Sequence, residues 1–344
     1  MRVLICTQKV DSSDGVLGFF CWWVQALAKE VESVHVVCLE EGEHNFPDNV
    51  TVYSLGKEQG ASKLEYIVHF YQHIFTIRGL YDQVFVHMNQ EYVLLGGLFW
   101  RLSGTPVYFW RNHPEGSLLT RLAVLLSTHI YSTSTDSFTA RFKKNRIMPA
   151  GINTNVFRSV TGIFRKKNSV CMIGRIAPIK RVDICLEAVK LLIDSGTQVS
   201  LTIVGSARES DYEYYQSLKR YVEKNNLSSY VIFIDSVPPH QLPDIYSSHE
   251  VCINLTPSGS FDKTIVEAAA CGALPVVSNT SLEQFLPAVC MTEPDPEIVA
   301  RSLQRALSPE VRVQVQKELD VFVSSQSLSR LISLLVSHFD HVQE

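Results

Sequence analysis

Short apolar runs alternate with longer segments of helical period along the whole chain. In the first half the apolar runs that predict strands are RVLIC, VHVVCL, VTVYSL, QVFVHM, PVYFW and HIYSTS. Between them lie segments with the apolar spacing of amphipathic helices, FFCWWVQALAKEV, LEYIVHFYQHIF, EYVLLGGLFWRL and LLTRLAVLLS. Continuous apolar strands that alternate with helices are typical of parallel sheets covered on both faces.

The second half repeats this rhythm. Its predicted strands are SVCMIG, VSLTIVG, YVIFID, EVCINL and LPVVS, and its predicted helices include VDICLEAVKLLIDS, DYEYYQSLKRYVEKN and KTIVEAAACG. A segment rich in turn formers, PAGINTNVFRSVTGIFRKKNS, interrupts the pattern between about residues 150 and 168. From about Pro294 the chain reads as successive helices. We therefore expect an α/β protein with two doubly wound, Rossmann-like parallel-sheet domains that face each other across a cleft.

Composition narrows the possible classes. A chain of 344 residues has the length of two domains. Its net charge of −4 is spread almost evenly over the two halves, so nucleic acid is not an expected partner. The eight cysteines form no C-x-x-C pair and mostly lie in apolar runs, which predicts buried free thiols. The first residues, MRVLICTQKV, read as a strand and not as a signal peptide, so a cytoplasmic location is expected.

Ligands of doubly wound sheets bind beyond the carboxyl ends of the strands. Gly15 and Gly18 follow the first strand and precede a helix, where the backbone can approach an anionic ligand, although a plain tight turn explains them equally well. Gly174 ends another strand and is followed by Arg175 and Lys180. Two cations at such a position can clamp a pyrophosphate, and the alternative is a solvated loop with incidental charges.

A third loop, PSGSFDKTIVE, leads into a helix whose start carries Asp262, Lys263 and Thr264. The free backbone N–H groups of a helix start favour an anion. Glu267 lies one turn further on, where it can accept hydrogen bonds from ribose hydroxyls. An ordinary surface helix is the alternative interpretation. Taken together, the loops point to one cleft that binds a nucleotide diphosphate.

Three segments resemble the family 4 glycosyltransferases of the GT-B fold, and the resemblance covers nearly the whole chain. GRIAPIKRVD is similar to the family's G-R-x-x-x-x-K segment, IMPAGINTNVF to its P-x-G-[IV]-[DN]-x-x-x-F hinge, and VEAAACGALPVV to its L-E-A-M-A-C-G-x-P-V-V segment. The three segments occur in the family's order and at the family's distances. The chain is therefore identified as a member of this group of glycosyltransferases.

The resemblance implies roles for particular residues. Arg175 and Lys180 would hold the donor's diphosphate, Glu267 would bind the ribose, and Gly205 would lie near the nucleotide. It also implies an acceptor-side domain over residues 1–155, a donor-binding domain over 156–322 and a final helix over 323–344 that returns to the first domain. The sequence contains no Asp-x-Asp motif or His/Cys ligand cluster, so we expect neither a metal ion nor another cofactor.

One position departs from the family pattern. The first glutamate of the family's E-x7-E motif is replaced here by Gly259. That glutamate commonly contacts the donor sugar, so the neighbouring Asp262 and Lys263 are candidates to take over its contacts. The identity of the sugar is left open by this difference.

The acceptor side is expected in the first domain. His113 follows a predicted strand, at a place comparable to a histidine of the family that faces the donor sugar, and Arg111 and Asn112 lie beside it. His87 and Asn89 form a second candidate pair after another strand. Any of these histidines can equally be structural.

A lipid contact is also left open by the sequence. The aromatic stretch LGFFCWWVQALA is typical of a core helix, with contact to a lipid-linked acceptor as the alternative. The basic cluster Lys143, Lys144 and Arg146 reads first as a solvated face, but it would also favour a peripheral contact with the inner face of the membrane.

These patterns predict a retaining glycosyltransferase that moves a hexose-type sugar from a nucleotide-diphosphate donor to a glycan or lipid-linked acceptor. Retention is implied by the family resemblance alone. Two alternatives keep the fold: a catalytically degenerate binding subunit, and a sugar-nucleotide epimerase or hydrolase. The sequence does not distinguish the sugar, the base, the acceptor, the linkage or the oligomeric state.

Overall fold

A computed structural model describes residues 1–259 and 261–340, which form two compact units. The first unit contains Met1–Gly151, the single residues Gly259 and Phe261, and a C-terminal helix that begins at Leu328. The second unit contains Ile152–Ser258 and Asp262–Ser327. The chain therefore leaves the first unit after Gly151 and returns to it at Leu328.

A seven-stranded parallel sheet forms the centre of the first unit, in the order β3-β2-β1-β4-β5-β6-β7. Its strands are β1 (Arg2–Val10), β2 (Ser33–Glu41), β3 (Val50–Ser54), β4 (Gln83–His87), β5 (Val107–Trp110), β6 (His129–Ser132) and β7 (Asn145–Ile147). The six predicted strands of this half are confirmed. The edge strand β7 escapes prediction because it has only three residues, NRI, of which two are exposed.

Helices cover both faces of this sheet, as predicted. They are α1 (Phe19–Ala28), α2 (Lys63–Thr76), α3 (Gln90–Leu102), α4 (Leu118–Leu126) and α11 (Leu328–Asp340). One core cluster joins Phe70 of α2, Trp100 of α3 and Ala123 of α4 to side chains of the strands. A second cluster joins α1 and α11 to the strands on the opposite side. The first unit is thus a three-layer α/β sandwich.

The last helix is bound to the first sheet by an apolar stripe. Leu331, Leu335 and Phe339 are fully or almost fully buried, in the cluster that contains Trp23 and Tyr108. Backbone carbonyls of α11 also accept hydrogen bonds from the sheet, since the Gln83 side-chain nitrogen donates to the carbonyl of Phe339 at 2.6 Å. Its amphipathic pattern therefore finds its partner in the first unit.

The second unit has a five-stranded parallel sheet in the order β10-β9-β8-β11-β12. Its strands are β8 (Ser169–Ile173), β9 (Ser200–Val204), β10 (Val231–Ile234), β11 (Val251–Asn254) and β12 (Leu274–Val277). Its helices are α5 (Val182–Asp194), α6 (Tyr212–Lys224), α7 (Leu242–Ser248), α8 (Lys263–Ala270), α9 (Pro296–Ala306) and α10 (Pro309–Ser325). All five predicted strands are confirmed, and α7, which has only seven residues, is an addition.

Two parallel, Rossmann-like sheets confirm the predicted fold class. All eight cysteines are buried free thiols, as expected, and burial raises the pKa of Cys21 to about 11 and that of Cys185 to about 12. No helix within residues 1–259 and 261–340 is both long enough and apolar enough to span a bilayer.

Candidate functional site

The carboxyl ends of β8 and β11 border a depression of about 270 Å³ in the second unit. Gly174, Arg175, Lys180 and Asn254 contribute to its wall. Three of these residues come from the sequence motif that predicted a diphosphate clamp. The parallel sheet brings them together because its strands end at the same edge.

Two glycines shape the backbone at this edge. Gly174 and Gly205 both have positive φ angles, 139° and 150°, which side chains with a Cβ rarely adopt. A Cβ at Gly205 would lie 2.0 Å from the carbonyl oxygen of Gly174. The close approach that requires glycine at position 205 is therefore to the end of β8, within the protein itself.

The two cations of the motif have different surroundings. The Arg175 side chain is exposed, and among residues 1–259 and 261–340 it has no hydrogen-bond or ion-pair partner. Lys180 ends a short 3-10 turn, Pro178–Lys180. Its Nζ donates to Thr256 Oγ1 at 3.1 Å and forms an ion pair with Asp262. Arg175 is thus available to a ligand, whereas Lys180 is already engaged.

Asp262 is the N-cap of α8, and its carboxylate lies at the helix start where an anion was predicted. Its oxygens accept hydrogen bonds from the Thr264 backbone at 3.2 Å, from the Thr264 hydroxyl at 2.9 Å and from the Asn254 side chain at 2.8 Å. Burial alone would raise the pKa of Asp262, but Lys180 and these hydrogen bonds lower it to about 2. The protein's own carboxylate therefore occupies the cationic end of the site.

Glu267 and Lys263 lie one turn apart on α8. The Glu267 side chain is buried, and the hydroxyl of Tyr246 donates to its Oε2 at 3.1 Å. Burial raises the pKa of Glu267 to about 7, against the opposing influences of Tyr246 and Lys263. The Nζ of Lys263 is buried too, and burial lowers its pKa while Glu267 raises it. The carboxyl group predicted to bind ribose thus changes charge near neutral pH.

The first loop is closed by its own aspartates. The backbone N–H groups of Val16 and Leu17 both donate to Asp14 Oδ1 at 2.8 Å. A Cβ at Gly18 would lie 2.5 Å from the Asp14 carbonyl oxygen. Gly15 is exposed at the tip of the loop. The geometry of this loop accounts for Gly18 as a tight turn, and the amides before α1 are already hydrogen-bonded to a side chain.

The acceptor-side candidates of the first unit fall into two groups. His113 is exposed beyond β5, and its Nδ1 lies 3.0 Å from the backbone nitrogen of Glu115. Arg111 Nη1 donates to the Glu115 carbonyl at 2.8 Å, and Asn112 Oδ1 accepts from the Thr133 backbone at 2.7 Å. These contacts hold the loop after β5 in one conformation and leave the imidazole at the surface.

The second pair is divided between the core and the surface. The His87 ring is buried and stacks on Phe20 with ring centroids 4.1 Å apart, and Thr7 Oγ1 lies 3.4 Å from its Nδ1. Asn89 is the half-buried N-cap of α3, reached through Met88, whose φ angle is 69°. His87 therefore has the packing of a core residue, and Asn89 alone reaches the strand end.

The structure also shows why Gly259 cannot simply be exchanged for glutamate. Its φ angle is 117°, and a Cβ at this position would lie 2.8 Å from the Cβ of Pro114. Two site residues were not predicted, Asn254 and Thr256, which hydrogen-bond with Asp262 and Lys180. Their signal in the sequence is the change from apolar to polar at the end of the strand EVCINLTP.

Comparisons with known proteins agree with this geometry. Residues 153–310 match the family "Glycosyl transferases group 1", and residues 12–111 match "Glycosyl transferase 4-like". A D-inositol 3-phosphate glycosyltransferase of Frankia alni is 24% identical over 57% of this chain and 54% of its own length. The enzyme of the same name from Segniliparus rotundus is 28% identical over 42% of this chain, but only 33% of its own length. The chain thus matches from about a third to about half of these relatives.

Solved structures match over the whole chain. The crystal structure of Anabaena HepE in complex with UDP has a TM-score of 0.80 and 16% identity, with 99% of this chain and 100% of that chain covered. The lipopolysaccharide outer core galactosyltransferase WaaB has a TM-score of 0.67 and 11% identity over 98% and 100% of the two chains. The fold is therefore that of the GT-B proteins. With the family matches to both units, the chain belongs to the glycosyltransferases of GT-B type, and the predicted resemblance is confirmed.

Proposed function

We propose that this chain is a retaining glycosyltransferase that moves a hexose-type sugar from a nucleotide-diphosphate donor to a glycan or lipid-linked acceptor. The observation that carries the proposal is the pair of cations at the carboxyl end of β8. Arg175 is exposed and unpaired among the described residues, and Lys180 lies on the same depression. Fixed positive charge at this point stabilises a departing diphosphate as negative charge develops on it.

In this proposal each site residue has one task. Arg175 binds the diphosphate with a bidentate guanidinium, and Lys180 adds a mobile point charge. The Glu267 carboxylate accepts hydrogen bonds from ribose hydroxyls, and His113 positions the acceptor or takes its proton. The reaction is proposed to proceed without a metal ion or other cofactor, by positioning and charge stabilisation.

The acceptor and the location are part of the same proposal. Relatives named for D-inositol 3-phosphate and for phosphatidylinositol transfer reactions favour a polyol or a lipid-linked acceptor. We place the enzyme in the cytoplasm with a peripheral contact at the inner face of the membrane, where such acceptors are accessible. UDP is the first nucleotide to test, because HepE was crystallised with it.

Asp262 favours one alternative function, a catalytically degenerate binding subunit. Its carboxylate already fills the anion position at the start of α8 and pairs with Lys180. A protein in which this carboxylate has replaced the donor permanently would keep the fold and lose the reaction.

Thermal denaturation against a panel of nucleotides and sugar nucleotides, with and without added Mg²⁺, tests the proposal. Ligand binding to the folded state adds about 2.7 kcal/mol at a hundredfold excess over Kd. We expect one nucleotide diphosphate to raise the Tm without metal, and Arg175→Ala and Lys180→Ala to abolish the shift. The absence of any shift from folded protein would favour the binding subunit. Product analysis with and without an acceptor then separates transfer from epimerisation and hydrolysis.

A further inference from the structure

Three neighbouring helices of the first unit expose an unusual amount of apolar surface. Of the 23 large apolar side chains exposed in the described part of the chain, ten lie on α2, α3 and α4. They are Leu64, Ile67, Val68, Phe75, Leu98, Leu102, Leu118, Leu119, Leu122 and Leu125. Single exposed apolar residues are ordinary, but a concentration of them on adjacent elements marks an interaction surface. We call these ten residues the apolar face.

The three helices form one continuous layer. The hydroxyl of Tyr71 on α2 donates to the carbonyl of Leu95 on α3 at 3.0 Å, and the rings of Phe75 and Phe99 are 4.9 Å apart. Both ends of α3 contact α4: Thr120 Oγ1 donates to Gln90 Oε1 at 2.7 Å near the helix starts. At the other end, Arg101 Nη1 donates to the carbonyl of Leu125 at 3.2 Å. The apolar face is therefore one surface.

Helix α4 shows most clearly that this face is not accidental. Its inner side buries Thr120, Ala123 and Val124 against the unit, as any amphipathic helix would. Its outer side should then be polar, yet it presents four leucines, of which Leu118 is 82% and Leu125 61% exposed. Because α4 contains no acidic residue, its outward surface consists of leucines and the guanidinium of Arg121.

Positive charge borders the apolar face. Arg101 and Lys144 meet at the end of α4, where Lys144 Nζ donates to the carbonyl of Ser127 at 2.5 Å and the charge of Arg101 helps lower the pKa of Lys144, after burial. Within the described ranges neither of them, nor Arg121, forms an ion pair with a carboxylate. Residues 101–150 carry seven Lys or Arg and two Asp or Glu. Capping of α4 explains two of these cations, but neither Arg121 nor the exposed leucines.

We propose that the apolar face is a membrane-docking surface, with a bilayer containing anionic lipid as its occupant. Leucines with unpaired cations at their margin fit the acyl and headgroup layers of such a bilayer. A protein partner is disfavoured, because protein interfaces draw their binding energy from tyrosine, tryptophan and complementary carboxylates, and leucine is under-represented among their hot spots. The surface lies in the unit opposite in function to the donor site, so it would bring the proposed acceptor-binding unit to the lipid.

Co-sedimentation of the full chain with vesicles tests the proposal in the absence of any donor, so that it does not depend on transfer activity. We expect binding to vesicles of phosphatidylcholine with phosphatidylglycerol, and weaker binding to phosphatidylcholine alone. Leu118→Gln, Leu122→Gln and Leu125→Gln together should weaken binding about a hundredfold. Arg101→Gln with Arg121→Gln should weaken binding to the anionic vesicles about thirtyfold and remove the preference for them.

A matched control changes exposed apolar residues outside the face. Val313 and Val321 on α10 are 78% and 65% exposed, and Val313→Gln with Val321→Gln should bind vesicles like the wild type. All variants should keep the wild-type Tm, since the altered side chains are exposed. Failure of the wild type to bind either vesicle would overturn the proposal, as would undiminished binding by the triple leucine variant. A wild-type dimer that this variant converts to a monomer, with vesicle binding unaltered, would show that a second copy covers the face.

Discussion

At the scale of single residues, the site is defined by a carboxylate in the place of a ligand. Asp262 accepts hydrogen bonds at the start of α8 and pairs with Lys180, so it satisfies both groups that were expected to bind a diphosphate. A donor must compete with this internal anion or displace it. The affinity for the nucleotide is then set partly by how firmly Asp262 holds its partners.

Replacement of Asp262 by asparagine should therefore strengthen nucleotide binding. Asparagine is an equally good N-cap, but it has no charge to oppose the diphosphate. We expect the Kd for the diphosphate nucleotide to fall about tenfold, measured by titration calorimetry. Lys180→Gln should weaken binding both alone and combined with Asp262→Asn. An unchanged or raised Kd for Asp262→Asn would mean that the carboxylate assists the ligand.

Glu267 should make folding stability depend on pH near neutrality. Burial raises its pKa in the folded protein to about 7, from an ordinary value near 4.5. Because the folded pKa is the higher one, the stabilisation is complete below about pH 4.5 and is lost as pH rises through 7. Relative to Glu267→Gln, the free energy of unfolding of the wild type should fall by roughly 3 kcal/mol over this interval.

Urea denaturation of both proteins at several pH values between 4.5 and 8 measures this difference. Parallel profiles of the wild type and Glu267→Gln would contradict the assignment. The same titration bears on the proposed role in ribose binding. A carboxylate is a better acceptor than a carboxylic acid, so nucleotide affinity should rise with pH across the same range.

At the scale of elements, the turn after β9 depends on a glycine in contact with a neighbouring strand end. Gly205→Ala should destabilise the protein by about 2–4 kcal/mol, because its Cβ would lie 2.0 Å from the carbonyl oxygen of Gly174. Gly196 is the matched control, since its φ angle is also positive, 86°, but a Cβ there would meet nothing within 4 Å. Gly196→Ala should cost only about 1 kcal/mol. Equal losses in urea denaturation would show that backbone strain and not the contact decides.

Elements were predictable where burial writes a regular pattern into the sequence. Strands β8 and β11 are buried at every position, and a parallel sheet between helices requires such continuous apolar runs. Strand β7 and helix α7 are too short to carry a period. The convergence of Arg175 and Lys180 on one depression follows from the rule that parallel strands end at a common edge.

Side-chain pairing was not predictable. Lys180 and Asp262 are separated by 82 positions, and only the folded sheet reveals that they pair. His87 has the sequence position of a ligand-binding residue, but its stacking on Phe20 depends on how α1 lies over the strands. Spacing along the chain identifies which residues reach an edge, whereas their partners depend on the packing of other elements.

At the scale of the whole molecule, the first unit is completed by the end of the chain. Truncation after Ser327 would remove the stripe of Leu331, Leu335 and Phe339 that covers one face of the first sheet. We expect faster hydrogen exchange in β1, β4 and α1, and unchanged exchange in β8 and β11. Hydrogen-exchange mass spectrometry of the full and truncated chains measures this, with nucleotide binding as a control on the second unit. Equal acceleration in both sheets would show that α11 stabilises the chain globally.

The return of α11 to the first sheet also has a consequence for biosynthesis. A ribosome makes β1 first and α11 last, so the sheet face that carries Tyr108 and Trp110 waits uncovered while the entire second unit is translated. The second unit, by contrast, is complete in the nascent chain before the last helix is made. Chaperones that recognise exposed apolar surface should therefore act on the part of this protein that emerges earliest and release it only after translation ends.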